Sequence, residues 1–145
     1  KHKHSISQAY IQRDKVILPL LFRKALRITS WPTKKINLCH IVANLPTQQF
    51  FITEDAAVDY IRKRYLHGVK KKFRSVYKQR LFDAFYEEFL AIKQNSSASI
   101  QACCLAALNK EAPCIGLTPA VILIKLTQTN ETVPINILFP PSSAD

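Results

Sequence analysis

Nine cations fall between Arg62 and Arg80, and no acid lies among them: Arg62, Lys63, Arg64, Lys70, Lys71, Lys72, Arg74, Lys78 and Arg80. Tyr65, Phe73 and Tyr77 interleave with them. A run of one sign attracts phosphate. Neutralising phosphates releases counterions, which gives binding without sequence preference and a strong dependence on salt. Aromatic rings between the cations offer faces on which bases can stack, and Tyr65 and Phe73 are the candidates for that role. The plainer reading is a solvated loop and one helix face. A second, sparser basic group is Arg13, Lys15, Arg23, Lys24, Arg27, Lys34 and Lys35. The net charge of +11 and the pI near 9.7 tilt the balance toward an anionic partner, DNA or RNA.

Other chemistries find little support. There is no G-x-S-x-G, no glycine-rich phosphate loop and no H-E-x-x-H. The four cysteines, Cys39, Cys103, Cys104 and Cys114, contain no C-x-x-C pair and are too few for a disulfide framework. They read as small buried residues in a reducing compartment. Cys39 and His40 are adjacent, so on a helix they point apart and ligate one ion poorly. His2 and His4 lie at the terminus, and His40 and His67 read as packing or capping residues. Asp83, Glu87 and Glu88 are spaced to pair with Lys78 and Arg80 along one helix. The expectation is therefore a protein that is not an enzyme and has no cofactor and no metal.

The elements that must carry these residues read as helices. Of the 145 residues, 48% are apolar and only 2 are glycine, which favours a packed helical protein over a hairpin-rich one. Helical spacing covers Ser7–Thr29, with Pro19 inside it as a kink or a first turn near Leu18. Thr33 is the expected cap of a second helix running to Leu45, and Trp31-Pro32 belongs to the linker before it. "TQQFFI" should be extended. Thr53 caps a third helix, with Glu54 and Asp55 in its first turn, and Gly68 closes it. Ser75 caps a fourth helix that carries Tyr77, Leu81, Phe82, Phe85, Tyr86 and Phe89. A fifth covers Ile100 to Asn109. Thr118-Pro119 opens "AVILIKLTQ", whose β-branched residues leave helix and strand both open. The tail from 131 to 145 reads as irregular, with one short strand at Ile135–Phe139.

"CHIVANLPTQQFFIT" and "CLAALNKEAPCIGLT" align at an offset of 65 residues, with Cys39 on Cys104, Asn44 on Asn109 and Thr53 on Thr118. Each has an apolar helix, an Asn near its end, a proline, an apolar link and a threonine cap. Duplication and chance likeness of two helix–loop–helix units both fit. "IVANLPTQQFFITEDAAVDYIRKRYLHG" followed by "YKQRLFDAFYEEFLAI" resembles a family of small uncharacterised proteins from gut Bacteroidetes. The matching residues are Ile41, Val42, Pro46, Phe50, Phe51, Thr53, Ala56, Lys78, Arg80, Tyr86 and Phe89, within Ile36 to Ile92. The sequence departs from that pattern at Gln48 and Gln49, where a basic residue is expected. The resemblance implies a layout, without an established activity.

The chain is thus expected to be mainly α-helical. It would form one small domain over 1–145, or two pseudo-repeated halves at 7–94 and 99–130. The leading function is nucleic-acid binding through the basic run. The alternative is a protein-interaction module or homodimer that uses the aromatic helix 77–90, with an exposed apolar patch near Phe82–Phe89. The helices around "PTQQFFI" would make an unusual helix-turn-helix with a long, glycine-free turn. No stretch is long and apolar enough to span a membrane, and the basic run before Gly68 lacks a matching apolar face. A cytoplasmic protein with no membrane partner is expected.

Overall fold

The computed structural model describes residues 8–29 and 33–129, and they are mainly helical. Trp31-Pro32 and the tail with its expected strand at 135–139 lie outside the described residues. Helices α1 (Gln8–Gln12) and α2 (Leu18–Ile28) are joined by a π-turn at Arg13–Ile17. Pro19 sits in the first turn of α2, so both expectations for it meet here. A proline at this point has no N–H to donate backwards, and a widened turn accommodates the break without ending the helix. Then come α3 (Lys35–Ala43), α4 (Glu54–Ile61), a second π-turn at Arg62–Leu66, α5 (Val76–Gln94), α6 (Ile100–Leu108) and α7 (Pro119–Thr129).

The caps explain most of these limits. The hydroxyls of Thr53, Ser75, Ser99 and Thr118 accept from the backbone N–H three residues on, at 3.1–3.3 Å. Gly68 takes φ +69 beyond the second π-turn, where a side chain would be strained. Thr33 departs from expectation. Lys34 is the cap residue of α3, and the Thr33 hydroxyl accepts from the Asn37 side chain instead. The segment 119–129 is helical, because a threonine cap with proline after it starts a helix whose Ile122 and Leu126 are then buried on one face.

The chain divides into two compact units, Lys1–Leu45 with Leu117–Asp145, and Pro46–Gly116. This division runs elsewhere than the halves 7–94 and 99–130. In the first unit α3 packs against α2 and α7, burying Leu18, Phe22, Leu38, Val42, Ile122 and Leu126. In the second, α6 packs against α4 and α5. Helix α3 belongs to the first unit and α4 to the second. The part of the link at 46–53 is tied down within the second unit. Thr47 and Ala112 exchange two backbone hydrogen bonds at 3.0 and 2.9 Å, and Phe50 N–H donates to the Leu108 carbonyl at 3.0 Å. The buried Thr47 hydroxyl donates to the Gln49 carbonyl at 2.7 Å, so it is satisfied without water.

The offset of 65 carries α3 onto α6, the first residue of α4 onto that of α7, and Thr47 onto Ala112. Both links therefore occupy corresponding places, and their bridge pairs corresponding residues.

Two consequences can be measured. Gly116 has φ +85, and a Cβ there would meet Leu81 Cδ2 at 2.6 Å. Gly116→Ala should lose about 1–3 kcal/mol of stability in urea denaturation, from the left-handed backbone and the crowding of a buried leucine. In the first unit Lys125 Nζ lies 3.0 Å from Asp14, which also accepts from Arg13 Nε at 2.7 Å. Burial pushes the Asp14 carboxyl up, but the hydrogen bonds from Arg13 and Lys125 outweigh it, and the net shift is downward from 3.8. A lowered folded pKa stabilises above the unfolded value and ceases to do so as pH falls through the folded one. Asp14→Asn should cost roughly 1 kcal/mol in thermal melts at neutral pH, and the difference from wild type should vanish as pH drops below about 3.8.

Candidate nucleic-acid interface

The basic run is held by α5, and α5 is held by aromatic packing. Phe82, Phe85 and Phe89 recur at three- and four-residue spacing and are buried in the second unit. Phe85 meets Phe50 edge-on at 5.5 Å, Phe82 meets Tyr60 at 4.9 Å, and Phe89 meets Tyr65 at 5.2 Å. The expected apolar patch near Phe82–Phe89 is therefore inside the unit. The helix is rich in aromatics because α4, α6 and the link at Phe50 all pack around it.

The link from 68 to 74 has no helical structure, and its local sequence alone would leave it as solvated chain. Phe73 pins it. Its ring stacks on Phe82 at 4.6 Å and lies 6.2 Å from Tyr60, and its N–H donates to Gln79 Oε1 at 2.9 Å. Lys71 and Lys78 place their ammonium groups 5.4 and 5.2 Å from the Phe73 ring centre.

This arrangement makes an open groove of about 800 Å³ along the first half of α5. Lys70, Arg74 and Arg80 line it with Arg64, and so do two acids farther along α5, Asp83 and Glu87. Phe73, Val76 and Pro113 supply its apolar part. The first turn of α5 carries no acid, although the positive end of a helix dipole favours one. Among the described residues, Lys71, Lys72, Arg74 and Lys78 pair with no acid.

Arg64 has a different part. It donates to the Tyr60 hydroxyl at 2.8 Å and to Asp83 at 3.2 Å, and its guanidinium lies 3.9 Å from the Tyr86 ring centre. Asp83 also accepts from Gln79 at 3.2 Å and approaches Lys70 at 3.9 Å. Asp83 thus belongs to a hub that joins the second π-turn to α5. The widened turn moves Arg64 off the helical register, and Asp83, one turn beyond Gln79, faces it. Burial pushes the Tyr60 hydroxyl upward in pKa, partly offset by the Arg64 hydrogen bond. Arg80 lies 5.3 Å from the Tyr77 ring centre.

The nine candidates do not form one stripe. Lys70, Arg74 and Arg80 share the groove with Arg64, and Lys71, Lys72 and Lys78 are exposed on the link and on α5 beside it. Arg62 lies instead in a smaller cleft of about 340 Å³ with Glu54, Asp55 and Asp59. Lys63 pairs with Asp59 at 3.1 Å. The negative first turn that suits the dipole of α4 thus shares a cleft with Arg62. Tyr65 is partly exposed, with its ring edge-on to Phe89. Gln79 and Asp83 were not among the sequence candidates, and the one available signal was their spacing of four on a helix that follows a basic link.

The four cysteines are buried. Burial pushes the Cys39 and Cys104 thiols up to about 11, so they are protonated at neutral pH and poor as nucleophiles or ligands. Cys114 is raised for the same reason. Among the described residues no group of three or more His, Cys, Asp or Glu is placed to hold a metal, and no helix is long and apolar enough to cross a membrane. No family model, curated protein or solved structure matches the chain.

The anchoring role of Phe73 has a direct readout. Phe73→Ala should cost about 1–3 kcal/mol of stability. It should also abolish protection of the residue 73 amide in hydrogen exchange, while amides in the middle of α5 stay protected at low denaturant.

Proposed function

We propose that this protein binds nucleic acid through its phosphates, at the groove along the first half of α5. The observation that supports this most is the set Lys70, Lys71, Lys72, Arg74, Lys78 and Arg80. It surrounds a helix start with no acid in its first turn, and among the described residues Lys71, Lys72, Arg74 and Lys78 form no salt bridge, while Lys70 approaches Asp83 at 3.9 Å. Like charges held together repel, and a bound polyanion relieves that repulsion. Arg64 then positions the groove, and Arg62 and Lys63 contribute less, because Lys63 pairs with Asp59 and Arg62 shares a cleft with Glu54, Asp55 and Asp59. The aromatic rings are mostly committed to one another, so backbone contact is favoured over stacking, and recognition would be insensitive to base sequence.

Binding, and not catalysis, is the proposed activity. A cytoplasmic setting fits four free, buried thiols. The proposal also includes descent of the two helix–link–helix stretches from one duplicated unit. It is supported by helix starts, caps and bridge partners that share the offset of 65.

Fluorescence anisotropy with labelled duplex and single-stranded oligonucleotides, across a range of salt, tests the reading. Wild type should bind at physiological salt, with similar affinity for unrelated sequences. Changing Lys70, Lys71 and Lys72 together to Glu should weaken binding at every sequence and lower the log–log salt slope by about 3. Unchanged affinity in that variant would sink the assignment, provided its circular dichroism matches wild type.

A further inference from the structure

The first unit carries a second surface, on α2. Leu20, Lys24, Arg27 and Ile28 recur at intervals of four, three and one, which puts them on one face of the helix, and all four are exposed. Leu20 is 51% and Ile28 59% exposed, and Val16, one turn earlier at the end of the π-turn, is 49% exposed. The opposite face of α2 is buried through Leu18, Phe22 and Ala25. Charge in this unit is one-sided. Its described residues hold eight Lys and Arg against one acid, Asp14, and that acid is already bonded to Arg13 and Lys125. No acid pairs with Lys24 or Arg27 among the described residues.

Cations alone would suit any polyanion. The three half-exposed aliphatic side chains on the same face narrow the choice, because nucleic acid offers them little and would leave them in water. An anionic bilayer offers phosphate headgroups at the level of the cations and an acyl layer just beneath. We propose that α2 attaches this protein to anionic phospholipid surfaces, lying in the interface with Lys24 and Arg27 at the headgroups and Val16, Leu20 and Ile28 below them. No spanning segment is involved. The small apolar area makes attachment reversible and dependent on anionic lipid.

The test is cosedimentation of the full chain with vesicles of phosphatidylcholine alone and of phosphatidylcholine mixed with phosphatidylglycerol. Wild type should pellet with the anionic vesicles only. Lys24→Gln with Arg27→Gln should lower the partition coefficient about 30-fold, the effect of removing two near-surface cations. Leu20→Ser with Ile28→Ser keeps every charge, and it should bind at low salt but detach at physiological salt. All four side chains are exposed, so both variants should keep wild-type circular dichroism. Equal binding to neutral vesicles, no binding to anionic ones, or unchanged partition in both variants would overturn the proposal. Loss of oligonucleotide binding in Lys24→Gln/Arg27→Gln without vesicle binding by wild type would assign the face to nucleic acid and overturn it as well. The lysines at 70–72 are untouched throughout, so this result is separate from that of the groove.

Discussion

The second unit depends on one contact, the stack of Phe73 on Phe82. Five of the seven residues in "KKKFRSV" are basic or polar, and nothing in such a segment favours a fixed conformation. A single ring in its middle reaches the aromatic core, and the Phe73 N–H is taken by Gln79 on the next helix. Those two contacts convert a flexible cationic stretch into one wall of a groove. The cations then stand on ordered backbone, where their repulsion cannot be relieved by moving apart.

A second constraint separates cations left exposed from cations that build. Arg64 is spent on Tyr60, Tyr86 and Asp83. Its planar donor set suits this joint work in a way that a lysine would not. Asp83 in turn gathers Gln79 and Lys70, so this acidic residue of the groove, one of two with Glu87, serves as a fastening point. Net charge counts these residues equally, yet their positions give them opposite roles.

The two links show how little regular structure is needed to order a chain that lacks helix or strand. Residues 44–53 are held by a reciprocal backbone pair at Ala112, one bond to Leu108 and the threonine cap of α4. Gly116 completes the other link at the one place where a side chain has no room. Buried backbone polar groups must find partners, and here each link supplies them to the other.

The sequence by itself determined the helical class, the caps at Thr53, Ser75 and Thr118, the closing role of Gly68 and the core stripe of α5. All of these rest on interactions between residues a few positions apart, so local chemistry suffices. It also determined that a basic run exists. Tertiary structure alone decided which cations remain available, because pairing of Arg64 with Asp83 spans 19 residues and no local pattern encodes it. The same holds for the bridge between Thr47 and Ala112, for the misplaced cap at Thr33, and for which rings cover Phe82 and Phe89. Each follows from which surfaces meet when helices pack, and that choice is made by the whole apolar pattern at once.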